Sequence, residues 1–290
     1  MNTKKRSLKK FGLFAALPMS IFFIVLVVPF GQGLFLTFTD WDGFSYEKFI
    51  GVGNYAKSLQ DPEFWTTLTF TLKFVLVSLV AVNVVAFGLA LLVTATLKSK
   101  NIFRTFFFVP NLIGGVVLGV IWQFIFNTAL VSISSKFGWS ILQSSWLNET
   151  NTAFWALIIV TVWQSSGYMM IIYITGLISI EQDVIEAARV DGASALRTLL
   201  SIKMPLMAQA FTISLFLTLR GGFMAYDVNV ALTGGGPYRT TELISLHIFQ
   251  DAFAFGNFGT GQSKAVIMFA MVAIAALIQV SVSKRMEVQS

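Results

Sequence analysis

Six stretches of the chain contain no Asp, Glu, Lys, Arg or His: residues 11–39, 74–97, 105–135, 150–180, 204–219 and 265–283. A helix needs about 20 apolar residues to cross the hydrocarbon layer of a membrane. Five of the runs reach or approach that length. The run 204–219 is short, so it must borrow from residues 221–224 or end inside a protein-lined cavity. Hydrophobic residues make up 56 % of the chain and charged residues 12 %, against roughly 25 % charged in soluble domains. The expectation is an all-α polytopic membrane protein with six transmembrane helices.

The chain has no cysteine, which excludes disulfides and thiolate metal sites, and the single His247 excludes a histidine metal cluster. The net charge of +6 is not a nucleic-acid footprint, because the basic residues sit in particular loops. Lys4, Lys5, Arg6, Lys9 and Lys10 precede the first run; Lys98, Lys100 and Arg104 separate the second and third; Lys284 and Arg285 follow the last. Basic residues in short loops mark the cytoplasmic side. Both termini are therefore expected inside, as tails over residues 1–10 and 284–290. Residues 40–73 carry five acids and three lysines and fall outside, as does the segment 220–264 that holds His247. The first span, 11–39, is too long for a signal peptide and shows no small-residue cleavage site, so it is expected to be retained.

Seven charged residues cluster in "SIEQDVIEAARVDGASALRTLLSIKMP", between the fourth and fifth spans. Two short helices are expected there. Residues 181–191 put Val184, Ala187 and Ala188 on one face and Asp183, Glu186 and Arg189 on another. Gly192 supplies a left-handed break, Ser194 caps the second helix, and Pro205 suits the first turn of the next span. A helix lying on lipid would show bulky apolar residues opposite lysines. This one shows small residues and mixed charge, which suit docking against another protein.

The order Glu186-Ala187-Ala188, Asp191-Gly192-Ala193, Ile202 and Pro205 resembles the EAA loop of permease subunits of bacterial ABC importers. Met204 stands where Leu is usual. "FTDWDGF", "GVGNY", "FFFVPNL" and "ALTGGGPYRTTEL", in that order along the chain, look like the carbohydrate-type permeases, among them those for disaccharides, oligosaccharides and glycerol-phosphate. The resemblance implies the type I ABC importer permease fold, with a core over residues 70–283 and a coupling loop over 181–203. It implies a second homologous permease, two ATPase subunits holding ATP and Mg, and an external solute-binding protein. Glu186, Ala187, Ala188, Asp191, Gly192 and Pro205 would contact the ATPase and transmit its closure.

The residues agree with that division of labour. None of the six uncharged runs holds an acid, so a proton-coupled carrier is hard to build. Sodium coupling through carbonyls and hydroxyls stays open as a different class. No Gly-rich loop ends in Gly-Lys-Ser/Thr, so ATP must be hydrolysed on another chain and this one is expected not to be an enzyme. An uncharged sugar needs neutral donors and acceptors plus aromatic faces; Asn111, Trp122, Gln123, Asn127, Trp163, Gln164, Ser165 and Tyr168 offer both.

By resemblance to maltose-type permeases, the pathway positions fall at Asn111, Thr161, Gln164, Ser165, Tyr168, Thr218, Gly221, Gly222 and Ala225, with Trp163, Arg220, Asp227 and Asn229 as further candidates. The glycines and Ala225 replace larger residues, and either make room for a bulky ligand or form a bare wall. In the plainer reading Arg220 reaches the outer interface and Asp227 caps a helix or pairs with it. The expected function is passage of a sugar or oligosaccharide into the cytoplasm across a bacterial cell membrane. An anionic glycerol-phosphate or uronate-bearing sugar is the alternative, and Arg220 would then be its first contact.

Overall fold

The computed structural model describes residues 2–95, 100–138 and 144–284, and for residues 2–10 and 13 the backbone alone. The side chains of Lys4, Lys5, Arg6, Lys9 and Lys10, together with Lys98, Arg285 and the tail after Lys284, lie outside the described residues. The elements are helical throughout; the only extended pairing among the described residues is a single bridge between Thr39 and Phe49.

Helix α1 (Asn2–Phe22) runs through a π-helical turn (Phe23–Val27) into α2 (Val28–Leu36). Helices α3 (Gly53–Gln60) and α4 (Pro62–Thr94) follow. Helix α5 (Lys100–Phe108) and a 3-10 turn (Val109–Leu112) precede α6 (Gly115–Phe124), a π-helical turn (Ile125–Ala129) and α7 (Leu130–Phe137). Next come α8 (Thr150–Ile178), α9 (Gln182–Val190), α10 (Ala195–Thr198), a π-helical turn (Leu199–Lys203), α11 (Met204–Leu206) and α12 (Ala208–Phe223). Helices α13 (Asp227–Leu232), α14 (Ile244–Phe249) and α15 (Phe258–Lys284) complete the chain.

Five helical segments are long and apolar enough to cross a membrane: Phe14–Leu36, Pro62–Thr94, Gly115–Phe137, Thr150–Ile178 and Phe258–Lys284. The sixth is a broken span, Ala195–Leu206 plus Ala208–Phe223, bent by 73° at Met207. Helix α12 takes in Gly221, Gly222 and Phe223, the extension that the short run required. The third span departs from the reading over 105–135. It is interrupted after Leu112, where Ile113 is extended, and restarts at Gly115. Pro110 has no N–H to carry an α-ladder onward, and the Gly114-Gly115 pair resists continuing it.

The chain divides into two compact units, residues 1–62 with 248–268 and residues 63–247 with 269–290. Residues 248–268 group with the N-terminal segment in this division.

In the first unit the quoted motifs turn out to build the segment after the first span. Asp40 accepts from the backbone N–H groups of Glu47 and Lys48 at 2.9 and 2.8 Å, and Asp42 from those of Phe44 and Ser45 at 2.9 and 2.8 Å. The amide of Lys48 holds the Asp40 carboxyl below the usual range, and the amides of Ser45 and Phe44 do the same for Asp42. Asn54 donates to the carbonyls of Thr37 and Thr39 at 2.9 and 2.8 Å.

Lys264, only 4 % exposed, bridges Asp61 at 2.6 Å and Asp251 at 2.7 Å. Removing one partner of a buried ion pair strands the other charges, at about 3–5 kcal/mol. Lys264→Met is expected to lower the stability of the purified protein by that amount, read as a fall in thermal midpoint in detergent.

The second unit is packed by small residues as well as large ones. Phe74, Leu118, Phe154, Leu157, Leu219 and Leu232 form one buried cluster. Val82, Ala86, Met170, Tyr173, Met207 and Ala210 form another. Between helices in lipid there is no water to expel, so close packing and interhelical hydrogen bonds carry association. A Cβ on Gly119 would lie 2.5 Å from Ala231 Cβ, and one on Gly176 2.7 Å from Ala210 Cβ. Asn83 joins three spans: its Oδ1 accepts from Tyr173 Oη at 2.7 Å and Ser214 Oγ at 2.6 Å, and its Nδ2 donates to Thr218 Oγ1 at 3.3 Å.

Candidate functional site

A cavity of about 350 Å³ opens between α4, the break before α6, α8, α12 and the loop leading into α13. Thr161, Gln164 and Ser165 come from the middle of α8, since 3.6 residues per turn bring positions 161, 164, 165 and 169 to one side. Thr218, Gly221 and Gly222 come from the end of α12, Ala225, Tyr226 and Asp227 from the following turn, and Asn111 from the 3-10 turn. Ser78 of α4 and Gly115 of α6 close the wall.

The wall is polar without being self-satisfied. Among the described residues, no hydrogen-bond partner is found for the Thr161 and Ser165 hydroxyls or the Asn111 carboxamide. Ser78 Oγ is fully buried and has no partner. Gln164 gives one Nε2 bond to the Ile113 carbonyl at 3.2 Å and keeps its Oε1 open. Buried polar groups are nearly always paired, so the orphaned Ser78 hydroxyl, beside the half-buried Thr161, Ser165 and Asn111, marks a surface that is completed by something else.

The glycines divide cleanly. A Cβ on Gly221 would meet nothing within 4 Å, so this position holds open space; a Cβ on Gly222 would lie 3.0 Å from Val75 Cγ2, so that glycine serves helix packing. A Cβ on Gly115 would stand 2.6 Å from Asp227 Cβ and 3.3 Å from its Oδ2. The missing side chain is what lets the Asp227 carboxylate lie against the start of α6.

Several expected residues are elsewhere. Tyr168 does not line the cavity; it is half exposed and its ring sits 6.5 Å from that of Phe108. Trp163 faces Trp122 at 5.6 Å and lines a different cavity of about 620 Å³, which is almost wholly apolar. Asn127 contacts Ser145. Arg220 is exposed at the end of α12 and forms no ion pair with Asp227, contrary to the pairing considered above.

Asn229 is fully buried and structural: it donates to the Thr241 carbonyl at 2.8 Å and to Thr233 Oγ1 at 3.0 Å, and accepts from Leu243 N–H at 2.9 Å. It thereby pins the "TGGGP" loop, directly after which Tyr238 and Arg239 both adopt positive φ, 51° and 63°. Arg239 chelates Glu242 through Nε at 2.6 Å and a terminal nitrogen at 3.0 Å, and reaches Glu63 at 2.6 Å. His247 is not a loop residue: it is 3 % exposed within α14, with Nδ1 3.2 Å from Glu242. Burial works to raise the Glu242 pKa, but the His247 hydrogen bond and the Arg239 guanidinium prevail and hold it below the usual range.

Ser78, Asn83, Gly115 and Tyr226 escaped the sequence reading. A lone Ser and a lone Asn inside the uncharged run 74–97 were the available signals.

The second cluster of interest is the loop between α8 and α12. Helix α9 ends in a Schellman cap: Gly192, at φ +76°, donates to the Arg189 carbonyl at 3.1 Å, and Ala193 donates to that of Ala188 at 2.9 Å. Ser194 Oγ accepts from Arg197 N–H at 3.3 Å and starts α10. Glu186, Ala187, Asp191 and Gly192 are exposed, whereas Ala188 is buried and Pro205 half buried. Ala188 thus packs inside this chain instead of adding to the loop's surface. Val190 is 87 % exposed and Leu196 65 %, so the loop presents apolar side chains without cover beside its charges.

A family model described as "Binding-protein-dependent transport system inner membrane component" matches residues 85–288. The probable starch degradation products transport system permease protein of Thermoanaerobacterium thermosulfurigenes is 44 % identical over 96 % of this chain and 95 % of that protein. The multiple sugar-binding transport system permease protein of Streptococcus mutans is 32 % identical over 95 % of each. Among solved structures, a chain of a bacterial ABC transporter involved in import of the acidic polysaccharide alginate superposes with a TM-score of 0.82. It is 18 % identical, with 97 % of this chain and 98 % of that chain covered.

Proposed function

Because the chain belongs to the family of inner membrane components of binding-protein-dependent transport systems, we propose that it is the permease subunit of an ATP-driven importer that carries a sugar or oligosaccharide through the cavity between α6, α8 and α12. It is a multi-pass membrane protein, and the proposal gives it cytoplasmic termini and a cytoplasmic α9–α10 loop. A second homologous permease faces the cavity from the other side. Two ATPase subunits, which hold ATP and Mg, seat on the exposed face of the loop, and an external binding protein delivers the cargo.

One observation carries the reading: at mid-depth of α8 and in the turn facing it, where lipid would demand apolar side chains, Thr161, Ser165 and Asn111 hold polar atoms for which the described residues offer no partner. A sugar supplies hydroxyls to match them. The sugar-transport roles named for the relatives at 44 % and 32 % identity support the same cargo class. No group in the cavity is asked to break a bond. Transport instead requires that the loop pass on the closing of the ATPases. In this reading Glu186 and Asp191 meet the partner directly, while Gly192 and Ser194 keep the two short helices at a fixed angle, so that a push on α9 tilts α8 and α12.

The test is uptake in proteoliposomes holding the complete assembly with its binding protein. Maltotriose is expected to accumulate only with ATP inside. The double variant Gln164→Ala/Ser165→Ala is expected to lose about tenfold or more in uptake, the worth of one or two hydrogen bonds, with ATPase stimulation intact. Glu186→Lys is expected to abolish uptake and stimulation together while insertion is normal. Accumulation without ATP, or normal uptake by Glu186→Lys, would overturn the proposal.

A further inference from the structure

The cavity wall holds one charged residue, Asp227, and among the described residues that line it there is no Lys, Arg or His. Asp227 opens α13, yet among the described residues its carboxylate finds no hydrogen bond from the first amides of that helix and no ion-pair partner. It is not consumed as a cap. It is exposed, and Gly115 gives it the space to lie against the start of α6. Arg220, the cation an anionic cargo would need, is not in the wall. The rest of the polar surface is neutral: Ser78, Asn111, Thr161, Gln164 and Ser165.

We propose that Asp227 sets the charge class of the cargo, admitting neutral oligosaccharides and rejecting those that carry carboxylates. This inference rests on the sugar-permease reading above and makes it narrower. A carboxylate in a protein-walled cavity accepts strong hydrogen bonds from sugar hydroxyls. A uronate entering the same space meets a like charge with no compensating cation. At separations of 5–8 Å and the screening typical of such sites, that repulsion is on the order of tenfold to a hundredfold in affinity. The fold is shared with a chain of an importer of an acidic polysaccharide, so the fold itself does not bar an anionic cargo, and the discrimination proposed is assigned to the residues on the wall.

The discriminating measurement is saturation-transfer NMR on the complete permease–ATPase assembly in nanodiscs without the binding protein, whose own selectivity is thereby removed. Maltotriose and trigalacturonate are titrated separately. The wild-type assembly is expected to favour maltotriose by about tenfold or more. Asp227→Asn and Asp227→Ser are expected to shrink that gap by at least about threefold, with maltotriose losing affinity and trigalacturonate gaining it. Asp227→Glu is expected to keep the wild-type gap. Two substitutions are used so that misfolding of one leaves the other informative. A gap that is absent in the wild type, or equal in the wild type and both neutral variants, overturns the inference. Failure of the wild type to bind maltotriose at all strikes the sugar reading instead.

Discussion

Gly167→Ala is expected to prevent accumulation of a folded, assembled permease. A Cβ at that position would stand 1.8 Å from the carbonyl oxygen of Phe107, 2.5 Å from its carbonyl carbon and 3.0 Å from Phe108 Cα. All three atoms are backbone, so no rotamer change relieves the clash. Helix α8 and the end of α5 would have to separate by about an ångström or more, and overpacking of this kind costs about 1–3 kcal/mol and sometimes more. The displaced backbone leads directly into Asn111 and the cavity, so function would suffer even where some protein survives. Size-exclusion yield and thermal midpoint of the tagged protein measure the effect. Gly221→Ala is the internal control: it has open space around it and trades a helix-interior glycine for the best helix former, so it should be neutral or slightly stabilising. If Gly167→Ala matched that control in yield and midpoint, the close approach of α8 and α5 would be wrong.

The span count and the double-helix loop were legible because both rest on local rules. Lack of charge over about 20 residues has only one use in a helix, and a Gly followed by a Ser writes its own cap geometry, which Gly192 and Ser194 carry out. Facing was less legible. A lipid-embedded helix is apolar all round, so periodicity does not say which side is buried, and Ser78 and Asn83 gave no hint that one faces a cavity and the other joins three spans. On α8, helical spacing singled out Gln164, Ser165 and Tyr168, and the family resemblance added Thr161; Gln164, Ser165 and Thr161 line the cavity. Tyr168 shares the spacing, but spacing fixes only where Cβ points, and its long ring leans toward Phe108 instead. The ionic cluster around Glu242 was invisible for another reason. Glu63 is 176 residues from Arg239 in sequence, and the positive-φ turn at Tyr238 and Arg239 brings the guanidinium onto both acids.

Gly221→Trp is expected to stop transport while the protein still folds and the ATPase still responds. The two glycines on α12 look equivalent in sequence, but only Gly221 opens on empty space, whereas Gly222 packs against Val75. A Trp side chain, the largest of the twenty, would project from Gly221 into a cavity of about 350 Å³ and fill much of it. It would also cover the hydroxyls of Thr161 and Ser165 that a sugar needs. Uptake should fall by about a hundredfold or more, because the loss is steric and not the few kcal/mol of one contact. The thermal midpoint should stay near wild type, since no neighbouring atom has to move to admit the first side-chain carbon. Gly222→Trp must instead push α12 away from α4 and should fail in folding. If Gly221→Trp assemblies carried sugar at the wild-type rate, the path would run elsewhere, and the polar wall of α8 would need another explanation.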